Sequence, residues 1–183
     1  MSVNSKQLYE ILVSSALKED SIQRKMSQNT NGIYHVHEIA FVYQYEKELH
    51  KNSNLFEELY ISSARESTTA SVNQADLVLR GRNRNIIFEF KMDCKLREVA
   101  DDAVKLFPSV KLGDVAYLIN VKSMSYNELS ELTTKRTDDL NKEIKKRTDE
   151  NYGAYNIVPE FEFVSQAGKP KNADVLCMWE VRA

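Results

Sequence analysis

Two acidic residues and a lysine are spaced so that a β-hairpin would place them side by side. Asp76 precedes a turn at residues 81–84, and Glu89 and Lys91 follow it. If the turn is symmetric, Asp76 lies directly opposite Glu89, and directly opposed residues hold their Cβ atoms about 4.5–5.5 Å apart. Alternate residues of a strand share a face, so Lys91 projects to the same side as Glu89.

Two carboxylates at this separation indicate metal-dependent chemistry. Because like charges repel, one carboxylate must keep a proton or both must share a cation. Hard carboxylate oxygens suit Mg²⁺, with Mn²⁺ as a substitute. Lys91 lies one pleat beyond Glu89, roughly 7 Å along the strand, where its ammonium can contact a phosphate without displacing the metal.

A third acid is predicted on a helix that precedes the hairpin. Glu38, Val42, Tyr45 and Leu49 recur at helical intervals, which places them on one apolar stripe. A carboxylate on such a stripe is costly unless it meets a cation or hydrogen-bond donors. Glu38 is therefore a candidate member of the same site.

The residues around these candidates alternate in the manner of β-strands. Period-two patterns rich in β-branched and aromatic residues predict strands, and turn residues separate them. The predicted strands span residues 56–64, 75–80, 85–92, 114–121, 160–165 and 173–182, the last two forming a C-terminal hairpin. Within the third strand, Ile86, Phe88 and Phe90 are predicted to form the packed face, opposite Glu89 and Lys91.

The intervening segments have helical periodicity. Four helices are predicted. The first begins near Asn4, the second covers residues 34–51, and the third runs from residue 96 until Pro108 stops it. The fourth extends from a capping box at Ser125 to about residue 150. The element order is then α-α-β-β-β-α-β-α-β-β. This order predicts an α/β fold with a mixed central sheet flanked by helices.

The spacing of Asp76 and Glu89-x-Lys91, together with this element order, resembles the PD-(D/E)xK (restriction endonuclease-like) nuclease superfamily. The resemblance implies an α-β-β-β-α-β core over about half the chain, to which the N-terminal helix and the C-terminal hairpin are additions. Ala75 stands before Asp76 in place of the proline of the family motif, a proline that is often missing in the family. This departure weakens the resemblance more than it threatens the chemistry.

The resemblance also assigns roles to residues. It implies Asp76, Glu89 and Lys91 as catalytic residues, with Glu38 as an accessory acid. Asp76, Glu89, Glu38 and the main-chain carbonyl of Phe90 would hold the metal. The metal would polarise the scissile phosphate and lower the pKa of a bound water. Lys91 would orient the nucleophile and stabilise the charge that develops on phosphate oxygens.

The expected activity is Mg²⁺-dependent hydrolysis of phosphodiester bonds in nucleic acid, with DNA endonuclease as the leading form. Cleavage of both strands of a duplex by one site per chain would favour a homodimer. The alternatives are a catalytically inactive member of the same fold that binds nucleic acid or protein, and a small α/β interaction module. The amino-acid sequence does not decide whether the substrate is DNA or RNA, whether it is single- or double-stranded, or which nucleotide sequence is recognised.

The composition is that of an ordinary globular domain. The chain has 183 residues, 42% hydrophobic and 28% charged, with a formal net charge of −2, so we expect a single domain over residues 1–183. The longest apolar runs are too short to span a bilayer, and the first residues lack a signal-peptide pattern. We expect a cytoplasmic protein without membrane contact, in which Cys94 and Cys177 are packed thiols rather than a disulfide.

Other charged clusters admit a simpler interpretation. His35 and His37 flank a helix start and face different ways, so exposed or capping histidines are favoured over a metal site. The arginines of the hairpin turn lie at the far end from Asp76. The lysines near residues 142–147 alternate with acids, which slightly favours a solvated face over phosphate contact.

Overall fold

The computed structural model describes residues 4–28, 32–33, 36–55, 59–63, 75–125, 132–148, 151–157, 162–165 and 172–182. Within these ranges, seven strands form one sheet in the order β1-β2-β3-β4-β7-β5, and β6 also pairs with β7. All pairings are antiparallel except β3 with β4, which are parallel. The strands are β1 (Leu59–Ser63), β2 (Leu77–Gly81), β3 (Asn85–Met92), β4 (Val115–Ser125), β5 (Gly153–Asn156), β6 (Glu162–Ser165) and β7 (Asn172–Arg182). The architecture is α/β with a mixed sheet, as predicted.

Helices cover both faces of this sheet. They are α1 (Ser5–Met26), α2 (Glu38–Lys51), α3 (Leu96–Lys111) and α4 (Leu132–Lys145). Buried residues of α1 and α2 form one core with one face, and those of α3 and α4 form a second core with the other. No helix in the described ranges is both long enough and apolar enough to cross a lipid bilayer.

Aromatic rings fix α2 against β3. The Phe41 ring meets the Phe90 ring edge-on, with centroids 5.6 Å apart, and Tyr45 meets Phe88 edge-on at 5.4 Å. All four side chains are fully buried. Such edge-to-face pairs add about 0.5–1.5 kcal/mol beyond area burial. The contacts therefore hold the start of α2 close to the end of β3.

The predicted hairpin register is confirmed. Val78 pairs with Ile87, and the last pair toward the open end is Leu77 with Phe88. The bounds of β3 are those predicted. Both faces of β3 are packed, however, because Ile87 is buried in the α3 and α4 core. The prediction that only the face of Ile86, Phe88 and Phe90 is packed was therefore wrong. Glu89 and Lys91 lie on the opposite face, which α3 covers.

Two helix boundaries differ from the prediction. The second helix begins at Glu38, because His37 is an extended N-cap residue with ψ of 135°. The third helix continues through Pro108 to Lys111, whereas Pro108 was predicted to stop it. Proline forfeits one amide donor, but Phe107 stays buried and stacks on Tyr152 with centroids 4.0 Å apart. This packing favours continuation of the helix.

The region after β4 also differs. Ser125 was predicted to cap a helix but is the last residue of β4, where it pairs with Asn172. The other residues of that capping box lie outside the described residues. The C-terminal hairpin is confirmed by the antiparallel β6–β7 pairing.

One strand, β5, was not predicted. Its short segment gains order from Asn141 of α4, whose amide oxygen accepts the Ala154 N–H at 2.7 Å and whose amide nitrogen donates to the Ala154 carbonyl at 3.1 Å. Ala154 also pairs with Val181 of β7. These contacts are tertiary, so four residues of local sequence could not reveal them.

Candidate active site

The structure brings Asp76, Glu89 and Lys91 together where β2 begins and β3 ends. Asp76 directly precedes β2, one position beyond the last paired residue, so continuation of the register places it opposite Glu89. Its Oδ2 atom accepts the Phe90 N–H at 2.8 Å. This hydrogen bond fixes the Asp76 carboxylate against the strand that carries the other two residues.

Glu89 is the most enclosed of the three side chains. The residue is only 6% exposed, and its Oε1 atom lies 3.9 Å from Nζ of Lys91. The pKa of Glu89 is raised to about 8, chiefly by burial and then by the charges of Asp76 and Asp102, against the opposing charges of Lys91 and Lys105. Neutral solution therefore favours a proton on Glu89 unless a further cation is present.

Lys91 is held by an acid that the sequence analysis did not identify. Its Nζ atom lies 3.1 Å from Oδ2 of Asp102 on α3, and the lysine side chain is 28% exposed. Burial lowers the pKa of Lys91, but Asp102 and Glu38 raise it by more, so the net shift is upward. The ammonium stays charged throughout the neutral range.

Asp102 links the site to α3. It is 2% exposed, and its other carboxylate oxygen accepts a hydrogen bond from Lys105. The sequence contained a signal for it, because Asp102 follows Val99 by three residues and precedes Leu106 by four, on the buried stripe of α3. The same test that identified Glu38 would have found Asp102.

Glu38 reaches the site from the opposite face of the sheet. It is the first residue of α2, and its Oε2 atom accepts the Met92 N–H at 3.3 Å. Burial raises the pKa of Glu38, and the charges of Asp76 and Asp102 add to that rise, while Lys91 opposes it. We call Glu38, Asp76, Glu89 and Asp102 the carboxylate cluster.

The carboxylate cluster carries more negative charge than its lysines balance. Four carboxyl groups surround two ammonium groups, those of Lys91 and Lys105. Burial also raises the pKa of Asp76, although its bond to the Phe90 N–H and the charge of Lys91 counteract the rise. The excess negative charge in a buried setting is the property expected of a site that takes up a divalent cation.

The donor set limits how such a cation could be held. Among the described residues, no three His, Cys, Asp or Glu side chains are arranged to hold a metal ion. Mg²⁺ is commonly bound through one or two carboxylates, with water and substrate phosphate as its other ligands. Asp76 and Glu89 fit this mode. The metal-ligand roles of Asp76, Glu89, Glu38 and the Phe90 carbonyl all stay predictions.

A second series of polar contacts fixes the backbone beside Lys91. Asn120 on β4 is fully buried, and its amide nitrogen donates to the Lys91 carbonyl at 2.9 Å. Its amide oxygen accepts from the buried Arg136 of α4, whose guanidinium lies 5.9 Å from the Trp179 ring centre. These contacts hold the end of β3 in place from the α4 side.

The other residues that the sequence analysis considered are two histidines and two cysteines. His37 is an exposed N-cap without a side-chain capping bond, and His35 lies outside the described residues. Cys94 and Cys177 are buried thiols that form no disulfide, as predicted. Burial raises the pKa of Cys94 to about 11, so it is a poor nucleophile at neutral pH.

Comparison with protein-family models, with curated proteins and with solved structures gave no match to this chain.

Burial of Glu89 predicts a characteristic dependence of stability on pH. A carboxyl group whose pKa is raised in the folded state binds more protons there than in the unfolded state, so stability falls as pH rises from about 4.5 to about 8. Glu89→Gln removes this group. In EDTA, we expect the unfolding free energy of Glu89→Gln, measured by urea unfolding, to increase relative to that of the wild type as the pH rises from about 5 to about 9.

The control is Glu10→Gln, which changes an exposed acid on α1. It should track the wild type at every pH. Parallel stability curves for wild type and Glu89→Gln would contradict the raised pKa.

Proposed function

We propose that the chain is a metal-dependent phosphodiesterase that acts on nucleic acid, most specifically a DNA endonuclease of the PD-(D/E)xK type. The observation that carries the proposal is the convergence of Asp76, Glu89 and Lys91 at the end of β3, with Asp76 bonded to the Phe90 N–H. Two acids and a lysine whose net negative charge favours the binding of a cation are the groups that metal-dependent phosphodiester hydrolysis requires.

The order of the elements supports the same proposal. Helix α2, strands β1 to β3, helix α3 and strand β4 follow one another in the α-β-β-β-α-β sequence that the resemblance implies. The three first strands form an antiparallel meander, and β4 lies parallel to β3 beyond the α3 crossover. The site lies where the central strands end, with one helix on each face.

Each group in the site has a task in this proposal. Asp76 and Glu89 would hold Mg²⁺ or Mn²⁺, which when bound polarises the phosphate and lowers the pKa of water. The Lys91 ammonium would stabilise charge that gathers on the phosphate oxygens. Asp102 positions that ammonium, and Glu38 fixes the Met92 backbone while adding negative charge that attracts a cation.

A second candidate is a non-catalytic relative that binds nucleic acid or protein through this fold. The contact that favours it is the ion pair of Lys91 with Asp102, 3.1 Å between Nζ and Oδ2, because it engages the ammonium that the catalytic candidate needs. The two candidates differ in turnover, so a cleavage assay separates them.

Metal dependence is the direct test. We expect cleavage of DNA with Mg²⁺ or Mn²⁺ and none in EDTA, because buried carboxylates cannot stabilise additional negative charge without a cation. Lys91→Ala should lower the cleavage rate by at least about 100-fold while leaving DNA affinity largely intact, since a contact made in the transition state affects rate more than ground-state binding.

Lys47→Ala is the matched control, because Lys47 is exposed on α2. It should cleave at the wild-type rate. Cleavage that persists in EDTA, or wild-type rates in Lys91→Ala, would refute the mechanism. DNA binding without cleavage under any metal would favour the non-catalytic candidate.

Glu38 provides a separate prediction. Glu38→Gln preserves the shape and can still accept the Met92 N–H, but it loses the charge that attracts a cation. We expect slower cleavage and a several-fold higher Mg²⁺ concentration for half-maximal rate, measured by metal titration. Glu46→Gln, on the same helix, should leave the titration unchanged. An unaltered titration in Glu38→Gln would limit Glu38 to a structural role.

A further inference from the structure

An open groove between α3 and α4 is lined by a cluster of basic side chains, none of which was assigned to the candidate active site. The groove encloses about 710 Å³. Five basic residues line it, two at the start of α3 and three at the end of α4. We define the basic groove by these residues: Lys95, Arg97, Lys142, Lys145 and Lys146.

The charge of the basic groove contrasts with that of the chain. Only two acids, Asp139 and Glu143, line it beside the five bases, which gives a local net charge of +3. The whole chain has a formal net charge of −2. Positive charge is therefore segregated onto one surface of a slightly acidic protein, which is the electrostatic arrangement that attracts a polyanion.

The ion pairs within the groove leave its cations available. Lys142 lies 2.9 Å from Asp139, Lys146 pairs with Glu143, and Arg97 Nε lies 3.8 Å from Glu98 Oε1. Exposed pairs of this kind are weak, so a phosphate can replace the carboxylate at little cost. Lys95 and Lys145 have no ion pair with any described residue.

The placement of Lys95 and Arg97 is unfavourable for the helix itself. Lys95 is the N-cap of α3 and makes no side-chain capping bond, and the first turn holds Arg97 beside the acid Glu98. Cations at a helix N-terminus oppose the macrodipole, which favours anions there, and Glu98 offsets the two cations in part. A bound phosphate would reverse the sign of this interaction. The groove thus combines side-chain cations with the positive end of a 16-residue helix.

Helix α3 connects the basic groove to the carboxylate cluster. Arg97 lines the groove and Asp102 contacts Lys91, and five helical residues advance about 7.5 Å along the axis. A nucleic-acid strand has one phosphate for every ~3.4 Å of helix axis. A strand lying in the groove would therefore present a phosphate a few nucleotides away at the metal-binding carboxylates.

We propose that the basic groove binds the sugar-phosphate backbone of the nucleic acid and guides it to the carboxylate cluster. The guiding of the backbone to the carboxylate cluster rests on the proposed function, whereas binding of the backbone in the groove requires no catalysis. The recognition is of phosphate charge rather than of bases, because the lining provides flexible ammonium groups and a helix end.

The test replaces one unpaired lysine from each wall. Lys95→Ala/Lys145→Ala removes two positive charges without breaking any ion pair between described residues. The matched control, Lys25→Ala/Lys47→Ala, removes two exposed lysines from α1 and α2 on the other face of the sheet. Binding of a short fluorescein-labelled DNA duplex, and of the same single strand, is followed by anisotropy in EDTA over a range of salt concentrations.

We expect the groove variant to bind roughly 10- to 100-fold more weakly than the wild type, and the slope of log affinity against log salt to fall in magnitude by about 2. The control should lose less than about threefold and keep its slope. Thermal unfolding should differ little among the three proteins, because the substituted side chains are exposed and the effect of the Lys95 charge on the N-terminus of α3 is small.

Equal binding by the groove variant and the control would overturn the inference. So would a groove variant that binds DNA normally but loses affinity for poly-glutamate, which would assign the surface to an acidic protein segment. Cleavage in Mg²⁺ is measured in parallel. If the wild type binds through the groove but never cleaves, the proposed function fails while this inference stands.

Discussion

The repulsion between buried carboxylates at the end of β3 is the constraint on which the rest of the site depends. Asp76 lies one position beyond the Leu77–Phe88 pair, so continuation of the register places it opposite Glu89, which is almost fully enclosed. Each surrounding contact reduces the cost of that charge: the Phe90 N–H donates to Asp76, and Lys91 approaches Glu89. The remaining excess is relieved by a proton on Glu89 or by a cation.

The two faces of the sheet contribute to this site in different ways. Helix α2 is fixed by aromatic rings on one face and brings Glu38 to the Met92 N–H. Helix α3 covers the other face and brings Asp102 to Lys91. Because both helices are anchored through buried side chains, the acids they carry are positioned by packing rather than by loops. This rigidity is what a catalytic arrangement requires.

The sequence predicted the parts of this arrangement that depend on local periodicity. The turn at 81–84 and the alternation in β3 determine the β2–β3 register, and the register determines that Asp76 lies opposite Glu89. Glu38 was found because an acid interrupts an apolar stripe. Asp102 carries the same signal on the stripe of Val99 and Leu106 and was missed, whereas its pairing with Lys91 depends on the packing of α3 over β3. Continuation of α3 through Pro108 and the pairing of β5 depend on tertiary contacts, which short-range patterns do not encode.

The central claim is that Asp76 and Glu89 together hold a divalent cation. The most direct measurement is an anomalous difference map from crystals grown at neutral pH and soaked in Mn²⁺. The account predicts a single strong peak between the two carboxylates, within about 2.0–2.2 Å of one oxygen of each. A saturating soak that leaves this position without a peak, or that places the ion on other residues, would contradict the account.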